Sequence, residues 1–153
     1  MTRAQDRWAV VPVKEAAQAK TRLSPGLSSA ARIALARAML EDVLRRLAGV
    51  RALAGIVIVT VDPYAIALAN RYRAQVSADG ARDGHTGAIA AAARRLEQSG
   101  CRTMLTLPGD LPAVTADEIA HVLHSHAATP SFTICPAHDG RGSNAIVVSP
   151  PCS

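Results

Sequence analysis

Aromatic side chains are scarce: one Trp, two Tyr and one Phe make up 3% of the 153 residues. Single-stranded nucleic acids are bound largely through rows of rings on which bases stack, so this class of partner is not expected, and the core must be built from Ala, Val, Leu and Ile. Cysteine is sparse too. Cys101, Cys135 and Cys152 are an odd number, far apart and without a C-x-x-C pair, a pattern that points to reduced thiols in a cytoplasmic protein. No apolar run approaches the roughly 20 residues of a membrane span, and the polar start is unlike a signal peptide. Neither a G-x-x-x-x-G-K-[ST] P-loop nor a G-x-G-x-x-G turn is present, and no Ser/His/Asp triad or nucleophilic cysteine has a supporting context.

What remains is a chain that is 49% hydrophobic and 19% charged, which excludes disorder and suits one domain with a real core. Its net charge of +5, from 17 basic against 12 acidic side chains, fits small anionic ligands as well as a polymer. Strand and helix patterns alternate throughout. Trp8-Ala9-Val10-Val11-Pro12-Val13 is an apolar, β-branched run that reads as a buried strand, and it delivers Lys14, Lys20 and Arg22 in a small-residue loop ending at Ser24-Pro25-Gly26. Open α/β sheets bind ligands just outside the carboxyl ends of their strands, so three cations there suit a polyphosphate, although solvated surface charges would look the same.

Ser28 and Ser29 then offer N-caps to an amphipathic helix marked by Ile33, Ala36, Leu40, Val43 and Leu47, closing near Gly49. A continuous apolar run over 55–60 reads as a strand covered on both faces, followed by a helix that Asp62 caps and Pro63 opens. Gln75-Val76-Ser77 is a short strand, 78–87 a polar loop, and 88–98 an Ala-rich helix ending at Ser99-Gly100. A strand over 103–107 leads into Pro108-Gly109-Asp110-Leu111-Pro112. Thr115-Ala116-Asp117-Glu118 is a capping box for a helix to about His126. Strands over 132–135 and 145–148 flank the glycine-rich turn His138-Asp139-Gly140-Arg141-Gly142-Ser143-Asn144. The expected fold is α/β, a three-layer Rossmann-like arrangement with a mainly parallel sheet and right-handed crossovers.

Asp110, fixed between two prolines at a strand end, suits Mg²⁺, which takes one or two protein carboxylates and completes its shell with substrate phosphates; a turn or capping Asp is the other reading. The 140–144 turn offers backbone N–H groups, the Ser143 hydroxyl and the Asn144 amide to a carboxylate or phosphate, or serves only as a hairpin. Gly84-His85-Thr86-Gly87 precedes a helix whose N-terminus faces a ligand's anionic groups or is an ordinary helix entry. His121, His124 and His126 crowd a helix C-terminus without a cysteine or carboxylate to complete a zinc site.

The ordered set VPVKEAAQAKTRLSP, LTLPGDLPAV and HDGRGSNAIVV resembles the guanylyltransferase family of deazaflavin coenzyme F420 biosynthesis, within the nucleotidyltransferases of glycosyltransferase-A-like fold. The resemblance covers almost the whole chain. It implies transfer of GMP from GTP to phosphoenolpyruvate, 2-phospho-L-lactate or 3-phospho-D-glycerate, with Mg²⁺ as cofactor and a homodimer in some members. It also implies roles for single residues: Lys14, Lys20 and Arg22 as the catalytic, phosphate-holding loop, with Gly84, Thr86 and Gly87 near the guanine site. Asp110 falls on the metal-binding aspartate of P-A-D-L-P, and Gly142, Ser143 and Asn144 fall on the phospho-acid motif D-G-x-G-T-N. His85-Thr86 departs from the family's G-L-N, which weakens the match at the base. The F-G-x-x-S-F and D-I-D-T-P segments of related members have no counterpart, so a single nucleotidyltransferase domain truncated at its C-terminus is expected. Two rivals are a molybdopterin-type nucleotidyltransferase, whose glycine-rich first loop is missing, and a non-catalytic nucleotide-binding domain.

Overall fold

A computed structural model of the chain describes residues 6–15, 26–110, 115–136 and 143–152, with Ser143 described by its backbone alone. The elements run β1 (Arg7–Pro12), α1 (Ser29–Ala48), β2 (Gly55–Val59), α2 (Pro63–Arg71), β3 (Gln75–Ser77), α3 (Gly84–Gln98), β4 (Thr103–Thr106), α4 (Ala116–Ser125), β5 (Ser131–Pro136) and β6 (Ser143–Ser149). The strands form one sheet in the order β3-β2-β1-β4-β6-β5. β1 to β4 are mutually parallel, whereas β6 runs antiparallel to both β4 and β5. The sheet is thus mainly parallel, with a two-stranded antiparallel margin.

Side chains of alternate strand residues divide between two layers, as a two-residue repeat requires. Ala9, Val11, Ile56, Ile58, Leu105 and Val147 pack with α1, α2 and α4. Val10, Val57, Val59, Met104 and Val148 face α3 through Ala88, Ala92, Ala93 and Leu96. The small residues of α3 let it lie close beneath the strands. At the other end of β1, Trp8 lies across β2 opposite Gly55, where an added Cβ would clash with the indole ring.

Local caps match the sequence closely. The Ser28 side chain accepts from the N–H of Ala31, Asp62 accepts from those of Tyr64 and Ala65, and Thr115 and Glu118 form a reciprocal capping box. One boundary is corrected: the stretch expected as loop over 78–87 ends at Asp83, and Gly84, His85, Thr86 and Gly87 are the first turn of α3. Two glycine positions account for this. Gly80 takes a φ of +75°, and a Cβ on it would lie 2.6 Å from the Gly87 carbonyl oxygen, so the loop folds back onto the helix it feeds. The buried part of α1 also starts later than Ile33, since Leu40, Val43, Leu44 and Leu47 are its buried residues.

Candidate active site

Parallel pairing places the carboxyl ends of β1 to β4 on one edge of the sheet, and the antiparallel β6 begins there. The chain leaves β1 outward to β2 and β3, then returns to add β4 on the opposite side of β1. The order of strands therefore reverses between β1 and β4, and open α/β sheets take their ligands outside the strand ends at such a reversal. Lys14 and Asp110, both exposed, follow these two strands within a few residues.

Packing draws the two exits together. Leu107 donates its N–H to the Val10 carbonyl at 3.1 Å, continuing the β1–β4 pairing beyond its last strand residue. A Cβ at Gly109 would stand 3.4 Å from Val13 Cγ2 and 3.5 Å from Val11 Cγ1, so the residue before Asp110 rests on the residue before Lys14. The first of the opening cations and the strand-end carboxylate therefore lie on one side of the molecule. Lys20 and Arg22 lie outside the described residues.

Two further loops reach the same edge. α3 follows the carboxyl end of β3 and packs against β1 and β2, so its first turn, with Gly84, Thr86 and Gly87, starts at this same edge of the sheet. Asp83, at the N-cap, makes no capping bond with its side chain, and the first turn contains no acidic residue. In the loop ahead of it, Arg82 Nε lies 3.8 Å from Glu15 Oε1, linking the β3–α3 loop to the β1 loop. On the far flank, Thr106 is paired with Ile146, and the half-buried Asn144 lies two residues before Ile146 in β6. Ser143 opens β6 with its backbone, and Gly142 lies outside the described residues, as does the rest of the turn between the antiparallel β5 and β6.

Among the described residues no group of three or more His, Cys, Asp or Glu could hold a metal ion; Asp110 could contribute one carboxylate to Mg²⁺, which takes one or two from protein. His126, one of the three histidines in the sequence cluster, is engaged elsewhere. Its Nδ1 is 2.8 Å from Thr133 Oγ1 and its Nε2 2.9 Å from Ser149 Oγ, which in turn lies 2.8 Å from Thr103 Oγ1. Cys101 is buried, with its thiol pushed above its ordinary pKa by burial, and Cys152 is exposed; all three cysteines are free. No described helix is long and apolar enough to cross a membrane.

This architecture is shared with solved structures. A chain described as a nucleotide-diphospho-sugar transferase of Desulfovibrio desulfuricans G20 superposes with a TM-score of 0.74 at 19% identity, over 97% of this chain and 65% of that one. A 4-diphosphocytidyl-2C-methyl-D-erythritol synthase gives 0.63 at 11% identity, over 99% of this chain and 77% of that one. The chain shares the α/β fold of these solved proteins.

The profile of the family described as "Guanylyl transferase CofC like" matches residues 7–152, and the chain belongs to that family. A phosphoenolpyruvate guanylyltransferase of Mycolicibacterium gilvum (strain PYR-GCK) is 36% identical over 141 residues, covering 90% of this chain. The match covers 65% of that relative, so the chain spans just under two thirds of its length.

Proposed function

We propose that the chain carries out guanylyl transfer in deazaflavin coenzyme F420 biosynthesis, moving GMP from GTP to phosphoenolpyruvate, 2-phospho-L-lactate or 3-phospho-D-glycerate. The observation that carries this reading is the match to the guanylyl transferase family over residues 7–152, on a chain whose strand order reverses between β1 and β4.

In the proposed reaction an oxygen of the acceptor phosphate attacks the α-phosphorus of GTP. The bond from that phosphorus to the β-phosphate oxygen breaks, and pyrophosphate leaves. The acceptor is already anionic near neutral pH, so no general base is needed, and the protein's work is positioning and charge neutralisation. Lys14 takes the triphosphate from the β1 side, joined by Lys20 and Arg22 of the same loop. Gly84, Thr86 and Gly87 present the backbone N–H groups of the first turn of α3 toward the nucleotide. Gly142, Ser143 and Asn144 orient the phosphorylated acid from the β6 side. Asp110 would hold Mg²⁺, which would supply neutralisation of phosphate charge.

Calorimetric titration of the chain with GTP, CTP and ATP, each with and without Mg²⁺, tests the proposal. A metal-dependent preference for GTP is expected, and Asp110→Asn should remove the metal dependence while leaving metal-free binding in place. Equal, metal-indifferent binding of all three nucleotides would leave a non-catalytic binding domain instead.

A further inference from the structure

We infer that the amino edge of the sheet holds a second ligand site, separate from the candidate active site, which takes a purine mononucleotide: the base against Trp8, its N–H groups on Asp6 and its phosphate on Arg95. The inference goes beyond the transfer reaction proposed above and does not depend on it.

A cavity of about 500 Å³ lies where β1 and β3 begin and α3 ends, lined by Asp6, Trp8, Gln75 and Arg95 among others. Small-molecule pockets span roughly 300–1,000 Å³, so a ligand of this size has room. Lys14 and Asp110 follow the opposite ends of their strands, and this space is no part of the site they flank. Its floor is built around an indole. Trp8 is the chain's single tryptophan, half-buried, and rests against Gly55, where any side chain would displace it. Gln75 pairs with Val57, two residues beyond Gly55, and so shares the indole's face of the sheet. The wall behind is tied down through the backbone. The Asp6 carbonyl accepts from the N–H of Arg102 at 2.9 Å and from the Cys101 thiol at 3.4 Å, and the Cys101 N–H donates to the Leu96 carbonyl at 3.0 Å.

The lining chemistry selects the ligand. Asp6 and Arg95 carry opposite charges on one cavity, yet among the described residues no ion pair joins them. A molecule lying between them satisfies both. The guanidinium fork suits a phosphate, whereas a carboxylate only accepts and therefore calls for N–H groups on the ligand. The Gln75 amide serves either kind of group, and the indole offers a flat apolar face for a ring. A guanine-type base, with adjacent N–H groups on one edge and a phosphate at the far end of its ribose, meets every one of these demands. One ring suits one base, not the row of bases that a nucleic-acid strand would present. Ser99 contributes less, because its hydroxyl already donates to the Leu96 carbonyl at 2.8 Å.

Because Trp8 is the single tryptophan, its indole N–H gives one signal in heteronuclear NMR spectra that reads this site directly. Titration with GMP in the absence of Mg²⁺ is expected to move that signal saturably. Guanosine and ribose 5-phosphate, each lacking one half of the pattern, should bind at least about tenfold more weakly. Arg95→Gln should weaken GMP about tenfold and leave guanosine unchanged, while Asp6→Asn should weaken both. Arg95 is exposed and the bonds of Asp6 named above are made by its backbone, so both variants keep the fold. Lys14→Gln, at the opposite edge, should titrate as wild type does. An unmoved signal with GMP overturns the inference, as does unchanged affinity in Arg95→Gln or Asp6→Asn, or either fragment binding as tightly as GMP. A shift lost in Lys14→Gln but kept in Arg95→Gln assigns the response to the carboxyl edge and overturns it as well.

Discussion

Gly109 separates Asp110 from the buried face of α1 and from the end of β1, and an added Cβ there would stand 3.3 Å from Leu40 Cδ1, closer than to Val13 or Val11. Each neighbour is the tip of an aliphatic side chain, so a methyl group can be accommodated by small rotations, whereas branching cannot. Gly109→Ala should therefore be nearly silent, and Gly109→Val should cost about 1–3 kcal/mol in denaturant unfolding through overpacking. The valine variant should also weaken Mg²⁺-dependent GTP binding, because its relief route lifts the Asp110 loop off Val13. Loss of stability with unchanged binding would uncouple Asp110 from this packing. Lys14 and Asp110 each follow an apolar run, so their place at a strand end was legible once the strands were.

Among elements, those with strong local signals match expectation to within a residue or two. Ser28, Asp62-Pro63 and the Thr115–Glu118 capping box start their helices where the side chains can satisfy exposed N–H groups. The entry to α3 was illegible for the opposite reason: Gly84-His85-Thr86-Gly87 has poor helix propensity, and what makes it helical is the seat of Gly80 against Gly87. Two substitutions separate conformation from contact at this entry. Gly84 has a φ of +77° with open space where a Cβ would go, so Gly84→Ala should cost only the left-handed penalty of about 1–2 kcal/mol. Gly80 has a similar φ of +75° but would also drive its Cβ to within 2.6 Å of backbone oxygen, so Gly80→Ala should cost clearly more. Denaturant midpoints of the two variants check the order. Equal losses would mean that the loop does not depend on the Gly80–Gly87 approach.

For the whole molecule, alternating strand and helix patterns made a mainly parallel sheet readable, but not the order β3-β2-β1-β4-β6-β5 or the reversal of β6. Order depends on which neighbours share a buried face, and the apolar runs of β1, β2 and β4 look alike in isolation. The junction at the edge opposite the candidate site was equally hidden. There His126, at the end of α4, joins Thr133 of β5 and Ser149 of β6, and through Ser149 reaches Thr103 of β4. Burial, reinforced by the positive charge of Arg7, holds the imidazole below its ordinary pKa of 6.5. The unfolded chain then takes up this proton more readily than the folded one. The contribution to stability is therefore complete above the unfolded value and is lost as pH falls from 6.5 through the folded value. Protonation would also turn the ring nitrogen that accepts a hydroxyl hydrogen into a donor, disturbing a chain of bonds that ties four elements together. Thermal melts of wild type and His126→Gln from about pH 7.5 to about pH 5 should show the wild type losing more of its melting temperature across the interval than the variant, whose curve starts lower and runs flatter. Parallel curves would assign the acid loss to the carboxylates and remove His126 from the pH response.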